Sequence, residues 1–222
     1  MIEHTFQMLP SVGRKKESSL WESGILDWEG FLSNEAVPGI KDASKDRCDA
    51  VLMQASELLD DGESRLLGHM VPRGEHWRMY DRFRDGAAYL DIETDGLSRD
   101  SLVTVVTVHR RGSTTTLVEG VDLDAGSLSD ALEGADVLVT FNGSCFDVPV
   151  LKNSFPGVDL DIPHYDLRFA SRKLGHKILI LLIIFFAKPK IRAFILMLVI
   201  CVRLFILSRQ IQQISLTTAS QK

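Results

Sequence analysis

The chain has 222 residues, of which 45% are hydrophobic and 25% charged, with 30 Asp/Glu against 25 Lys/Arg and a formal net charge of −5. That length admits one large domain, or one domain with a small appendage. The acid excess excludes a protein that coats DNA through its overall charge, so any nucleic-acid contact must be local. Cys48, Cys145 and Cys201 are far apart and form no metal-ligand spacing; they read as the reduced thiols of a cytoplasmic protein. The opening Met1-Ile2-Glu3-His4 carries an acid and begins no long apolar run, so no signal peptide is indicated.

Residues 1–73 read as a helical N-terminal region. Within 5–33, Leu9-Pro10-Ser11-Val12-Gly13 precedes Arg14-Lys15-Lys16-Glu17-Ser18-Ser19-Leu20-Trp21, and then Gly24-Ile25-Leu26-Asp27-Trp28. The segment resembles the start of a helix–hairpin–helix element, whose hairpin presents backbone N–H groups to a phosphate. Arg14, Lys15 and Lys16 would add positive charge there. The competing reading is a helical pair that packs Leu20, Trp21, Ile25 and Trp28 into a core. Residues 34–45 are loop-like, with Asn34, Pro38 and Gly39 as breakers. From Asp46 to Asp60, Cys48, Val51, Leu52, Ala55, Leu58 and Leu59 fall at helical spacing, and Asp60-Asp61-Gly62 ends that helix.

Trp77, Tyr80 and Phe83 recur every third residue with Arg78, Arg82 and Arg84 among them. Aromatic rings interleaved with Arg can stack on single strands; the same stripe also makes the buried face of a helix, the reading favoured here. Next comes an apolar strand, Tyr89-Leu90-Asp91-Ile92-Glu93-Thr94-Asp95-Gly96-Leu97. Val- and Thr-rich strands over Ser101–His109 and Thr114–Val121 are joined through Arg110-Arg111-Gly112-Ser113 as a hairpin. A short helix over Ser127–Leu132 leads to a strand over Val137–Phe141. A further strand and a final acidic helix are not legible after it.

Two patterns carry chemistry. Strand side chains alternate faces, so Asp91 and Glu93 point to the same side. Neighbouring carboxylates repel unless a proton or a cation lies between them, and a hard, oxygen-ligated cation is the usual solution. The plain alternative is a strand end running into an acidic turn, with both acids solvated. The second pattern is Asn142-Gly143-Ser144-Cys145-Phe146-Asp147, where a β run stops at an Asn-Gly turn and Asp147 opens a helix. An acid there sits at the sheet edge where α/β folds bind ligands, although a helix dipole alone also favours one.

Together, D-x-E-T on one strand and N-x-x-x-F-D after a later one resemble the first two motifs of the DEDD-type 3′–5′ exonucleases, which are built on the ribonuclease H-like fold. The stretch from about Gly74 to Gly175 is similar to the ribonuclease H-like domain of prokaryotic exonuclease-like proteins, with Glu75-His76-Trp77-Arg78 upstream and His164-Tyr165-Asp166-Leu167-Arg168 downstream. The resemblance implies an α/β domain over 74–176, a mixed sheet flanked by helices. It also implies an Mg²⁺- or Mn²⁺-dependent nuclease acting on the ends of DNA or RNA by two-ion chemistry. Carried over, Asp91 and Glu93 match the first-motif ligands and Asp147 the second. Thr94 and Asn142 stand where the motifs meet nucleic acid, and Asp166 matches an acid of the H-x-D-L segment.

The family's last carboxylate, from a late helix, is missing: no Asp or Glu follows Asp166. Residues 177–222 hold seven Lys/Arg and no acid, against 18 Lys/Arg and 30 Asp/Glu in residues 1–176, so the net charges are +7 and −12. His164 and His176 lie in no motif that would replace the lost group. Ile178–Ala187 is apolar, Lys188-Pro189-Lys190-Ile191-Arg192 interrupts it, and Ala193–Leu207 is apolar again apart from Arg203. A bilayer-spanning helix needs roughly 20 apolar residues. Two readings remain for this apolar, basic tail: a reading frame disrupted near Gly175, which truncates the domain, or a membrane-associated segment. Three functions therefore compete: an exonuclease impaired by the missing acid, a noncatalytic nucleic-acid-binding protein, and a membrane-associated protein.

With so much apolar side chain to cover, the full chain is expected to aggregate or partition into detergent, and deletion of 177–222 to raise solubility. Sedimentation of both forms checks this. A soluble, monomeric full chain with a protease-resistant tail would refute the disrupted frame.

Overall fold

The computed structural model describes residues 1–173; the tail from 177, with His176 and Cys201, lies outside them. The helices are α1 (Arg14–Glu22), α2 (Trp28–Leu32), α3 (Asp42–Asp60), α4 (Ser64–Met70), α5 (Tyr80–Phe83), α6 (Ala125–Leu132), α7 (Asp147–Ser154) and α8 (Leu167–Lys173). The strands are β1 (Ala87–Thr94), β2 (Val103–Arg110), β3 (Ser113–Val118), β4 (Val137–Thr140) and β5 (His164–Asp166). They form one mixed five-stranded sheet in the order β3-β2-β1-β4-β5. This is the α/β, ribonuclease H-like architecture expected from the sequence. The chain divides into two compact units, one of Met1–Ala88, Leu132–Leu138 and Gly157–Tyr165, the other of Tyr89–Ala131, Val139–Pro156 and the residues from Asp166.

In the first unit, Ile2, Phe6, Leu20, Trp28, Phe31, Leu52 and Leu67 are buried. Asp27 caps α2 by accepting from the Gly30 N–H at 2.8 Å, satisfying one of the donors a helix start leaves over. Glu17 of α1 is only 2% exposed. A buried carboxylate is tolerated when its oxygens are met. Here Thr5 Oγ1 donates to it at 2.7 Å, the Phe6 N–H at 2.8 Å and Gln7 Nε2 at 2.7 Å. Arg78 Nη2 stands 3.5 Å away, and the same guanidinium lies over the rings of Trp21 and Trp77. Trp77, Tyr80 and Phe83 are buried, the core role favoured for that stripe. Ahead of the Leu9–Gly13 segment lies a 3₁₀ turn of three residues, Ile2–His4, and Ser11 takes a left-handed φ of 61°.

In the second unit, β2 and β3 pair antiparallel from Val105↔Val118 to Arg110↔Ser113. The hairpin read at Arg110–Ser113 is there, with pairing running on to Arg110↔Ser113, so that Arg111 (φ 48°) and Gly112 (φ 79°) alone make the turn, a geometry whose twist matches the strands. All four residues of β4 are buried. After it the chain reverses at Asn142-Gly143, where the Gly143 N–H donates to Thr140 Oγ1 at 3.1 Å. Helix α7 then begins at Asp147, with Pro149 in the first turn, where its missing N–H costs nothing. β5, absent from the sequence expectation, is three residues long, too short for a strand period to register.

Gly143 is held tightly: a Cβ added there would stand 2.6 Å from Thr140 Cβ. Gly143→Ala is expected to destabilise the protein by roughly 1–3 kcal/mol through overpacking, read as a lower urea midpoint at unchanged slope.

Candidate functional site

Strand β1 is buried from Ala87 to Leu90; Asp91 is half-buried, Ile92 buried and Glu93 exposed. The strand's period therefore places both acids on the face opposite Ile92. The Ile92 N–H donates to Asp147 Oδ1 at 3.3 Å, joining the β1 backbone directly to the first turn of α7. Asp147 is only 6% exposed. Among the described residues, no hydrogen bond reaches the carboxylate of Asp91.

Electrostatics follows from this placement. Burial, then the charges of Asp147 and Glu93, push the Asp91 carboxyl up to about 7. Burial also pushes Asp147 up to about 6; the N–H groups at its own position and at Ile92 oppose the rise, and the charges of Asp166 and Glu93 add to it. Burial is thus the main cause of both shifts, and neighbouring carboxylate charge adds to it.

The donor set suits a hard divalent cation in kind: carboxylate oxygens whose repulsion a cation would remove. It does not yet suit one in spacing. Among the described residues, no group of three or more His, Cys, Asp or Glu side chains is close enough to hold a metal ion.

The other residues singled out in the sequence lie as follows. Asp166, 8% exposed, faces the turn after β4. Its Oδ1 accepts from the N–H groups of Asn142 at 2.9 Å and Arg168 at 3.0 Å; its Oδ2 accepts from the Ser144 N–H at 3.0 Å and from Ser144 Oγ. Asn142 has a left-handed φ of 66°, and Arg168 Nη1 donates to its Oδ1. Thr94 Oγ1 donates to the Gly96 carbonyl at 2.6 Å. Arg14, Lys15 and Lys16 lie at the start of α1 in the first unit; Arg14 and Lys15 are exposed, and Arg14 Nη2 is 3.7 Å from Glu75 Oε1. His164 belongs to the first unit, where its N–H donates to His76 Nδ1 at 3.0 Å. Ser144 and Arg168 were missed as site residues. The one available signal was a hydroxyl residue directly after an Asn-Gly turn, a place where side chains bond to nearby backbone.

Comparison with known proteins agrees with the fold. Residues 88–182 match the model of the RNase H superfamily. Over that stretch the chain is similar to the RNase H superfamily, in keeping with its α/β sheet, and at that level the match points to nuclease-type hydrolysis and a nucleic-acid substrate. No curated protein and no solved structure matches it significantly. Among the described residues, no helix is long and apolar enough to cross a membrane. Cys48 is buried and Cys145 exposed, and both are free.

The raised acids make stability depend on pH. Between its unfolded value of 3.8 and about 7, Asp91 binds more proton in the folded chain than in the unfolded one. Stability from this group is therefore full below pH 4 and lost as pH rises through 7. Asp91→Asn is expected to be more stable than the parent at pH 8, on the order of 2 kcal/mol after solvent screening, with the gain vanishing near pH 4. Urea unfolding of both proteins across that range checks it.

Proposed function

We propose that the protein is a metal-dependent nuclease of the DEDD 3′–5′ exonuclease type, hydrolysing phosphodiesters at nucleic-acid ends with activity weakened by the missing fourth carboxylate. The observation that carries this reading is the placement of Asp147 against the β1 backbone beside Asp91, both with raised proton affinity, inside a ribonuclease H-like domain. Such a conflict of charge is common where acids serve chemistry rather than packing.

In this reading Asp91, Glu93 and Asp147 would hold Mg²⁺ or Mn²⁺. When bound, the cation supplies Lewis acidity toward the phosphodiester and offsets the repulsion between substrate phosphate and protein carboxylates. Metal-binding carboxylates must be ionised, so cation affinity would rise with pH. Asp147, whose Oδ1 accepts from the Ile92 N–H, would supply the oxygen from α7. Thr94, next to Glu93 in the chain, and Asn142, at the start of the turn that leads to Asp147, would position the strand end.

One observation favours a second reading, a noncatalytic nucleic-acid-binding protein. No acid follows Asp166 in the sequence, and the described carboxylates are not spaced to hold an ion.

The test is digestion of 5′-labelled single-stranded DNA and RNA with Mg²⁺ or Mn²⁺. Slow, cation-dependent shortening from the 3′ end is expected, and Asp91→Ala and Asp147→Ala should each abolish it. Binding without digestion would select the second reading. Absence of both would sink the nuclease and the binding proposals together.

A further inference from the structure

We infer that Asp166 anchors the turn Asn142–Phe146 and so sets the position of Asp147, acting as a positioning residue instead of as a replacement metal ligand. The functional half of this inference rests on the nuclease reading above; the structural half does not.

The geometry is one of saturation. An ionised carboxylate offers about four lone-pair sites on its two oxygens. Asp166 fills them with the N–H groups of Asn142 and Arg168 on Oδ1 and with the N–H and hydroxyl of Ser144 on Oδ2. An incoming cation would have to displace one of these donors in a nearly closed environment, where an orphaned N–H is costly.

What the donors belong to matters as much as their number. Asn142 holds a left-handed φ of 66°, a conformation that non-glycine residues adopt only when their surroundings enforce it. Asp166 takes its N–H, and Arg168, two residues beyond Asp166, takes its side-chain oxygen. Both ends of Asn142 are therefore tied to one short segment at the start of α8. From that fixed residue the turn continues by backbone bonds: the Cys145 N–H donates to the Asn142 carbonyl at 3.1 Å and the Val148 N–H to the Gly143 carbonyl at 2.9 Å. Asp147 lies between the last two of these points. A shift of the turn would thus move Asp147 relative to the Ile92 N–H.

The test uses the full chain in detergent micelles in three forms, parent, Asp166→Asn and Ser144→Ala, with amide hydrogen exchange followed by NMR. In Asp166→Asn the amides of Asn142, Ser144 and Ile92 are expected to exchange about tenfold faster or more, while amides of the β2–β3 ladder keep their rates. Ser144→Ala removes one donor and leaves the carboxylate in place; it should move the same amides in the same direction by less. If Asp166→Asn fails to fold, this second variant decides, and unchanged exchange in it overturns the anchor.

Mn²⁺ titration calorimetry supplies the readout that a purely structural role would not move. Asp166→Asn is expected to weaken Mn²⁺ binding without lowering its stoichiometry, whereas Asp91→Asn lowers the stoichiometry. Loss of one bound ion in Asp166→Asn with turn amides still protected would make Asp166 a ligand and refute the inference. A parent chain that binds no Mn²⁺ would remove the nuclease reading, and the exchange rates would still decide the anchor.

Discussion

The burial of two carboxylates, Asp91 and Asp147, is the constraint on which the candidate site of the second unit depends. A carboxylate leaving water gives up solvation that only hydrogen bonds, a proton or a cation can replace. Asp147 is met only by the N–H groups of Ile92 and of its own position among the described residues, while the carboxylate of Asp91 receives no hydrogen bond among them. The remaining deficit appears as proton affinity, which is raised on both groups. A fold keeps such an arrangement only if rigid elements hold the two acids in place. Here those elements are the fully buried β4, the tight turn closed by Thr140 and Gly143, and the first turn of α7.

Glu17 of the first unit shows what a purely structural buried acid looks like in the same chain. It is less exposed than Asp147, yet it is met by three hydrogen-bond donors and by the nearby guanidinium of Arg78. Asp166 is satisfied in a similar way, by four donors. Both acids hold backbone segments together. The difference between these and Asp91 is the number of donors that reach them.

The site is nevertheless incomplete. Two-ion phosphodiester chemistry draws on several carboxylates held at coordination distance. The sequence has no acid beyond Asp166, and the described carboxylates are not spaced as a ligand set.

Much of this was legible in the sequence because it depends on local pattern. Period two placed Asp91 and Glu93 on one face, Arg111-Gly112 marked the hairpin, and Asn142-Gly143 marked the reversal before Asp147. Each is a matter of steric preference within a few residues. The three-residue β5 was not legible, because so short a run has no measurable period. Nor was the role of Asp166: its partners include Asn142 and Ser144, 24 and 22 residues earlier in the chain, and no spacing rule links them. The sequence alone determined which carboxylates are present and which face of a strand they share. Tertiary structure alone decided which are answered by hydrogen bonds and which are left in conflict, because solvation and repulsion depend on distances through space.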